Sequence, residues 1–340
     1  MAFVIPYFIP HQGCPHQCLF CNQQSITGQD LFSPASRRDI DAVISRWLAY
    51  RKPDDRGGRS AGVQFAFYGG SFTCLPREQQ VAMLEAVVSW VHRGEIETIR
   101  LSTRPDCVDA TTCGFLHQYG VGCVELGVQS LDDDVLEASR RGHDSKDCHV
   151  AMKYIKNSGL HAGIQLMPGL PGETRRSFRR TIEQTIALAP SFVRLYPVLV
   201  VQKSGLALRY AEGGYTPLSL EMAVVLTAWA RHRLLDAGIP VVRMGLQPSA
   251  SLEKSVLAGP YHPAFGELVM ARQWLHTTRK ILAAHPGGKI QLTIAERDLS
   301  CFNGIGRANR KRLQHLGLEE RLEVVVDNNL ERGSMQYVVS

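Results

Sequence analysis

The amino-acid sequence predicts an α/β protein, a partial (β/α)6-type parallel barrel with a smaller C-terminal α+β extension. Apolar, β-rich runs alternate with helical patterns, which is typical of parallel sheets. Each predicted strand ends in a loop dense in Gly, Pro, Cys and polar residues, as expected where chemistry lies at the carboxyl edge of such a sheet. The alternation fades from about Pro248. A doubly wound open sheet is the alternative architecture.

Six predicted strands and a seventh candidate account for the sheet. They span Phe3–Ile9, Val63–Tyr68, Ile96–Ser102, Val121–Val128, Leu160–Met167, Phe192–Val201 and Pro240–Leu246. Apolar residues at helical spacing predict helices between most of them. These span Asp39–Tyr50, Arg77–Val91, Cys148–Ser158, Phe178–Leu188 and Ser219–Ala237. We therefore expect a barrel core over residues 1–250 and an extension over residues 251–340, a candidate substrate-binding unit.

Composition excludes several classes of protein. The chain has 340 residues, of which 44% are hydrophobic and 21% charged, so it can bury a large core and is not disordered throughout. No run approaches the roughly 18 apolar residues of a transmembrane helix. The apolar start at Ala2–Ile9 lacks a basic region and contains Pro6, so we expect no signal peptide. A net charge of +6 permits an anionic partner without requiring one.

Nine cysteines in a chain with no export signal indicate a reducing cytoplasm, where clustered thiols are metal ligands more often than disulfides. Cys14, Cys18 and Cys21 directly follow the first predicted strand with the spacing C-x-x-x-C-x-x-C. Thiolates are soft ligands for zinc or iron–sulfur clusters. A [4Fe–4S] cluster held by three cysteines leaves one iron open to a small molecule, whereas structural zinc normally has four protein ligands.

The spacing alone leaves other interpretations of these cysteines open. A zinc ion would recruit His11, His16 or a distant cysteine as its fourth ligand. Cys18 and Cys21 would otherwise form a dithiol redox pair, or all three cysteines would be buried structural residues. Structural thiols rarely cluster on a polar loop that contains Gly and Pro, so a metal site is favoured.

The loops at five successive predicted strand ends resemble the motifs of radical S-adenosylmethionine (SAM) enzymes. The cysteine loop has the aromatic residue Phe20 before its third cysteine, as is usual in that family. The other segments are Gly69–Thr73, Ser102–Asp106, Gly127–Ser130 and Gly163–Glu173. Their order resembles the radical SAM domain of the Elongator catalytic subunit and its bacterial relatives. The oxygen-independent coproporphyrinogen oxidase group is a more distant resemblance.

This resemblance implies two cofactors, a [4Fe–4S] cluster held by Cys14, Cys18 and Cys21, and SAM bound at the open iron. In that family one electron cleaves SAM to methionine and a 5′-deoxyadenosyl radical, which abstracts hydrogen from a substrate. The cofactors perform the chemistry, and the protein supplies positioning and shielding. A one-electron donor such as flavodoxin or ferredoxin is implied as a partner.

The resemblance also assigns contacts with SAM. Gly69 and Gly70 would receive its amino group, because glycine lets the backbone approach a ligand closely. Gln129 would contact the ribose, and Arg141 would bind the carboxylate through bidentate charge-assisted bonds. Without the cysteines, the two glycines would predict an ordinary strand-to-helix turn. A solvated charge at a helix end is the alternative interpretation of Arg141.

Two further candidate SAM contacts depart from the family patterns. Gln165 stands where the coproporphyrinogen oxidase group has an acidic residue near the ribose. Ser102 stands where the Elongator motif usually has glutamate, and serine reaches less far. Outside the motifs, Cys74 and Cys107 follow the second and third strand ends, and we expect small buried thiols there.

Two basic clusters and the Elongator resemblance suggest RNA, and specifically tRNA, as the substrate. The clusters are Arg175, Arg176, Arg179 and Arg180, and Arg307, Arg310, Lys311 and Arg312. The second follows the Gly304–Gly306 turn, whose backbone amides could hold a phosphate. Solvated helix faces are the alternative interpretation.

The leading hypothesis is a cytoplasmic radical SAM enzyme that acts on tRNA, with no membrane partner. A radical SAM enzyme with a small, porphyrin-like substrate is the second hypothesis, and a non-catalytic cluster or haem carrier is the third. Roughly 90 residues follow the barrel, with no recognisable Gly-rich acetyl-CoA loop. We therefore do not expect this chain alone to perform an acetyl-CoA-dependent carboxymethylation.

Overall fold

The computed structural model describes residues 3–9, 12–22, 36–50 and 62–340. Its strands lie close to the predicted ones in the first half of the chain. They are β1 (Phe3–Phe8), β2 (Val63–Tyr68), β3 (Thr98–Thr103), β4 (Val121–Gln129), β5 (His161–Leu166), β6 (Phe192–Leu195), β7 (Val200–Val201), β8 (Val241–Met244), β9 (Val256–Ala258), β10 (Ile290–Ala295), β11 (Leu322–Asp327) and β12 (Met335–Val339).

Seven of these strands form one parallel sheet in the order β1-β2-β3-β4-β5-β6-β8. The order follows the chain without reversal, whereas a doubly wound sheet reverses its order midway. The predicted partial barrel is therefore confirmed, and the doubly wound alternative is wrong.

Helices follow most of the strands and cover the outer side of the sheet. They are α1 (Arg37–Ala49), α2 (Arg77–His92), α3 (Ala110–Gln118), α4 (Asp133–Ala138), α5 (Ser145–Asn157), α6 (Arg175–Leu188), α7 (Gly205–Ala211), α8 (Leu220–Asp236), α9 (Ala250–Ser255), α10 (Phe265–Ala284), α11 (Leu299–Asn303) and α12 (Ala308–His315). Side chains that bond to the first backbone amides define several starts, as at Ser36, Asp144 and Thr174. None of the described helices is long and apolar enough to cross a membrane.

Alternation along the strands decides which side chains face the barrel interior. In β4, Val124, Leu126 and Val128 are fully buried in the core beneath the helices. Successive residues of a strand point to opposite faces, so Glu125 and Gln129 face the interior of the barrel. Polar residues at these alternate positions are thus placed on the interior face of the sheet.

The predicted strand Phe192–Val201 is wrong in its second half. β6 ends at Leu195, and Val200–Val201 pairs instead with β9 in a separate antiparallel sheet. Pro197 lies between the two strands and has no N–H to donate to a sheet ladder, which accounts for the break.

The C-terminal part has a sheet and a core of its own. β10 pairs in parallel with β11 and antiparallel with β12, and Trp274 and Ile281 pack against it. The first half of α10 instead packs on α8 through Phe265 and Val269. One helix therefore belongs to both packing units, and the domain division near residue 250 stays a prediction.

Candidate cofactor-binding site

The cysteine loop packs directly against the segment that follows β2. Gly13 has a φ of +73°, and a Cβ added to it would lie 2.3 Å from the carbonyl oxygen of Ser71. The Ser71 Oγ lies 3.4 Å from the Cys14 Sγ. Only glycine allows this close approach, so the sequence of the loop brings a cysteine against the second strand end.

Two helix ends hold the middle of the loop. The Leu19 N–H donates to the Ser139 carbonyl at 3.1 Å, and the Leu206 N–H donates to the Leu19 carbonyl at 2.7 Å. The Cys21 N–H donates to the Cys18 carbonyl at 3.1 Å, which forms a single turn between two of the cysteines. Cys18 and Phe20 are buried in an apolar cluster with residues of α4 and α7.

The structure places the three cysteines on one loop but does not gather their sulfurs around one point. Across the described ranges, no group of three or more His, Cys, Asp or Glu side chains is placed to hold a metal ion. His16 packs against Gly142, where an added Cβ would lie 2.4 Å from the imidazole ring. His11 lies outside the described residues. Three soft thiols on a loop at the sheet edge fit a cluster with one open iron.

The double glycine lies beside this loop. Gly69 has a φ of +92°. A Cβ on Gly70 would lie 2.5 Å from the carbonyl oxygens of both Ile9 and Gln12. The close packing of two loops therefore requires glycine at position 70. Binding of the SAM amino group by Gly69 and Gly70 stays a prediction.

Arg141 connects the cysteine loop to the end of β4. Its Nη1 donates to the Cys18 Sγ at 3.0 Å, and its Nη2 donates to the Gly127 carbonyl. Arg104 Nη2 donates in turn to the Arg141 carbonyl at 2.6 Å. Arg141 is only 6% exposed, so the interpretation as a solvated helix-end charge is wrong. Binding of the SAM carboxylate by Arg141 stays a prediction.

The two candidate glutamines are in contact across neighbouring strands. Gln165 Nε2 donates to Gln129 Oε1 at 3.3 Å. Gln129 is buried and has a φ of +69°, at an irregularity in the pairing of β4 with β5. A left-handed conformation in a residue other than glycine costs energy and is common at functional sites. The Ser102 Oγ donates to the Phe67 carbonyl at 3.3 Å.

The barrel contains a buried ionic network that the sequence analysis did not predict. The Glu125 carboxylate lies 2.9 Å from Arg100 Nη2 and 2.6 Å from Arg194 Nε, and it accepts a hydrogen bond from the Tyr68 hydroxyl at 2.8 Å. Burial, and then the charge of Glu125, raise the pKa of Tyr68 well above its usual range. Charged residues at interior positions of buried strands were the signal that could have revealed it.

A second group of polar residues contacts the segment that carries Arg141. Arg104 forms a bidentate ion pair with Asp106 at 2.9 and 3.0 Å. The His143 side chain is fully buried, 3.9 Å from Asp106. Burial, and then the charge of Arg141, lower the pKa of His143 to about 3, so the ring is neutral at pH 7. These residues fix the segment that carries Arg141.

The expectation of two separate buried thiols at Cys74 and Cys107 is wrong. The two residues form a disulfide and are both partly exposed. Each lies in a short 3₁₀ turn directly after a neighbouring strand, at Phe72–Cys74 and Pro105–Cys107. The register of β2 with β3 brings the two turns together, which no local spacing in the sequence indicates.

The four arginines of the first basic cluster are all exposed, and three of them contact other parts of the chain. Arg180 forms an ion pair with Asp132, and the Arg179 guanidinium stacks 5.4 Å from the Trp229 ring centroid. Arg175 contacts the sulfur of Met222 at 3.4 Å. Among the described residues, Arg180 is the member of this cluster that pairs with a carboxylate, so the charges of the other three arginines are not neutralised by an ion pair.

Comparison with known families identifies the fold and the cysteine loop together. The family model of the Radical SAM superfamily matches residues 8–185, and that of the radical SAM C-terminal domain matches residues 190–276. The chain belongs to the radical SAM superfamily. It is an enzyme family whose cofactors are a [4Fe–4S] cluster and SAM, and the three-cysteine loop of this chain lies within the matched range.

Among the relatives of this radical SAM protein are a tRNA uridine(34) acetyltransferase and an Elongator protein. A tRNA uridine(34) acetyltransferase of Methanocaldococcus infernus is 24% identical over 67% of this chain and 50% of its own length. Elongator complex protein 3 of Mus musculus is 27% identical over 70% of this chain and 52% of its own length. The chain thus spans about half the length of these curated relatives.

A solved structure is similar over most of the chain. The archaeal Elp3 of Methanocaldococcus infernus, with an N-terminal deletion, superposes with a TM-score of 0.61 at 20% identity. The match covers 83% of this chain and 63% of the other. It supports the radical SAM fold.

Proposed function

We propose that this chain is a radical SAM enzyme that cleaves SAM reductively and uses the product to abstract hydrogen from tRNA. The cluster, when bound, supplies the electron that converts SAM to methionine and the hydrogen-abstracting 5′-deoxyadenosyl radical. Cys14, Cys18 and Cys21 would hold the cluster. The contact of Arg141 with the Cys18 Sγ carries this proposal, because it brings a buried cation to the rim of the cysteine loop.

The residues around the loop suit SAM. Arg141 presents a fork of donors that matches a carboxylate, and it already contacts both a ligand cysteine and the end of β4. Gln129 and Gln165 offer amide donors and acceptors for ribose hydroxyls on the adjoining strands. Gly69, Gly70 and Ser102 would complete the site from the ends of β2 and β3.

The network around Glu125 would shield the reaction from water. Glu125, Arg100, Arg194 and Tyr68 are linked to one another by ion pairs and hydrogen bonds inside the barrel. Exclusion of water protects reactive intermediates from side reactions.

The proposal that tRNA is the substrate is based on the names of the relatives. Two of them carry names that refer to tRNA uridine modification or to Elongator. The excess of positive charge in this chain is compatible with RNA. We further propose a one-electron donor of the flavodoxin or ferredoxin class and a cytoplasmic location.

Anaerobic reconstitution tests the chemistry. The protein should bind about four irons and absorb broadly near 400 nm. With dithionite and SAM it should release 5′-deoxyadenosine, and unfractionated tRNA should acquire a changed nucleoside detectable by mass spectrometry. Tightly bound zinc without iron would overturn the proposal. A cluster without SAM cleavage would favour a carrier, and cleavage coupled only to small molecules would remove tRNA.

A matched pair of cysteine variants sharpens this test. Cys18→Ala should abolish iron binding and 5′-deoxyadenosine release. Cys301→Ala makes the same chemical change at a buried cysteine of α11, far along the chain from the loop. It should retain both properties.

A further inference from the structure

The C-terminal part carries cations that the described chain leaves unneutralised. Arg307 immediately precedes α12, and Lys311 and Arg312 lie within it. All three are exposed, and none of their side chains has a hydrogen bond or ion pair with any residue that the structure describes. They form a free positive surface beside the exposed tip of the Gly304–Gly306 turn.

The fourth member of this basic cluster has a different role. Arg310 donates to Asn303 Oδ1 at 3.0 Å and to Glu319 Oε1 at 2.7 Å. Asn309 Nδ2 is buried and donates to the Ala271 and Phe302 carbonyls at 2.8 and 2.9 Å. These bonds fix α12 against α10 and α11, so the three free cations stand on a rigid support.

Helix α10, which Asn309 joins to α12, carries further exposed cations. Its Arg272, Arg279 and Lys280 are exposed, and Arg272 follows the residue that Asn309 contacts. His276 lies between them. Burial, followed by the charges of Lys280 and Arg272, lowers the pKa of His276, with His232 and Arg279 adding to the effect. Arg272, His276, Arg279 and Lys280 recur at intervals of three or four residues, so they lie on one face of α10.

We propose that this α10–α12 basic surface docks the phosphate backbone of RNA. It consists of Arg307, Lys311 and Arg312 with Arg272, Arg279 and Lys280. Exposed lysines and arginines on rigid elements suit backbone phosphates, which position a nucleic acid without reading its sequence. The matched family models end at residue 276, so most of this surface lies beyond them. The inference rests on the proposed tRNA substrate and gives it a docking site.

The test measures binding of unfractionated tRNA to reconstituted holoenzyme between about 50 and 200 mM KCl. The triple variant R307A/K311A/R312A should bind about 10-fold more weakly, and the slope of log affinity against log salt should be shallower by about two to three. R307K/R312K keeps the charges and should stay within about threefold of wild type. The triple variant should still release 5′-deoxyadenosine as wild type does.

The control variant R38A/R46A/K153A removes the same number of exposed charges from α1 and α5. It should bind tRNA as wild type does. If the two triple variants bind tRNA equally well, the basic surface is wrong while the tRNA substrate stands. Wild-type protein without salt-dependent tRNA binding would overturn both. Polyglutamate that competes as well as tRNA would assign the surface to acidic proteins and overturn the RNA inference.

Discussion

The guanidinium of Arg141 donates to the sulfur of Cys18 at 3.0 Å, across 123 positions of sequence. The contact joins the first strand end to the segment after the fourth, and both residues are buried. In the function proposed above, Cys18 would hold the cluster and Arg141 would bind the carboxylate of SAM. We therefore expect the binding of SAM to depend directly on Arg141.

Replacing Arg141 should separate binding of SAM from binding of iron. Arg141→Ala leaves the three cysteines in place, so iron content should stay near four per chain. Loss of a charge-assisted bond costs about 1.5–3 kcal/mol, so SAM affinity should fall roughly 10- to 100-fold. The SAM affinity of Arg141→Lys should lie between those of wild type and Arg141→Ala, because lysine keeps the charge but cannot form the bidentate contact. Equilibrium dialysis with labelled SAM measures this, and unchanged affinity in Arg141→Ala would contradict the assignment.

Removing the central carboxylate of the interior network should destabilise the barrel. Glu125→Gln leaves Arg100 and Arg194 buried without their shared counter-charge, at a cost of about 3–5 kcal/mol in the free energy of unfolding. The exposed Glu137→Gln is the control and should cost less than about 0.5 kcal/mol. Urea unfolding of both variants provides the measurement. Equal stability would show that the network contributes nothing to the fold.

The sequence predicts the parts of this molecule that depend on local pattern. Helix periodicity and strand composition locate the barrel, and the cysteine spacing locates the cluster loop. Contacts that depend on strand register cannot be predicted from local pattern, because the residues near a strand in the sequence do not specify which strand pairs with it. Glu125 and Arg194 meet only because β4, β5 and β6 are adjacent. The family motif predicts a ligand contact at Gly70, whereas its close packing against Ile9 depends on the three-dimensional arrangement of the two loops.

The disulfide between Cys74 and Cys107 predicts a definite thiol count. Protein purified without reductant and then denatured should show seven reactive thiols, the seven free cysteines, and nine after reduction. Cys74→Ser should show eight under both conditions. Closing a loop across 33 residues restricts the unfolded chain, so the variant should lose about 3–4 kcal/mol of stability. Nine thiols before reduction would contradict the pairing.

The buried carboxyl group of Glu173 should cause the free energy of unfolding to decrease as pH rises. One carboxylate oxygen accepts the Gly169 N–H at 2.6 Å, and the other is buried without a hydrogen-bond partner. Burial raises the pKa of Glu173 to about 8. The unfolded chain releases this proton near pH 4.3, so the folded state binds more protons above that pH. The stabilising effect is complete below about pH 4 and is lost as pH rises through 8.

A glutamine at this position should remove the pH dependence, because it resembles the protonated acid. Melting temperatures of wild type and Glu173→Gln, compared from pH 6 to 9, should diverge as pH rises, with the variant increasingly the more stable. The difference in free energy should grow by up to about 1.4 kcal/mol per pH unit below the folded pKa. Glu183→Gln changes an exposed glutamate paired with Arg233, and its melting temperature should show the same pH dependence as that of wild type. Parallel curves for wild type and Glu173→Gln would show that the carboxyl is ionised in the folded protein at neutral pH.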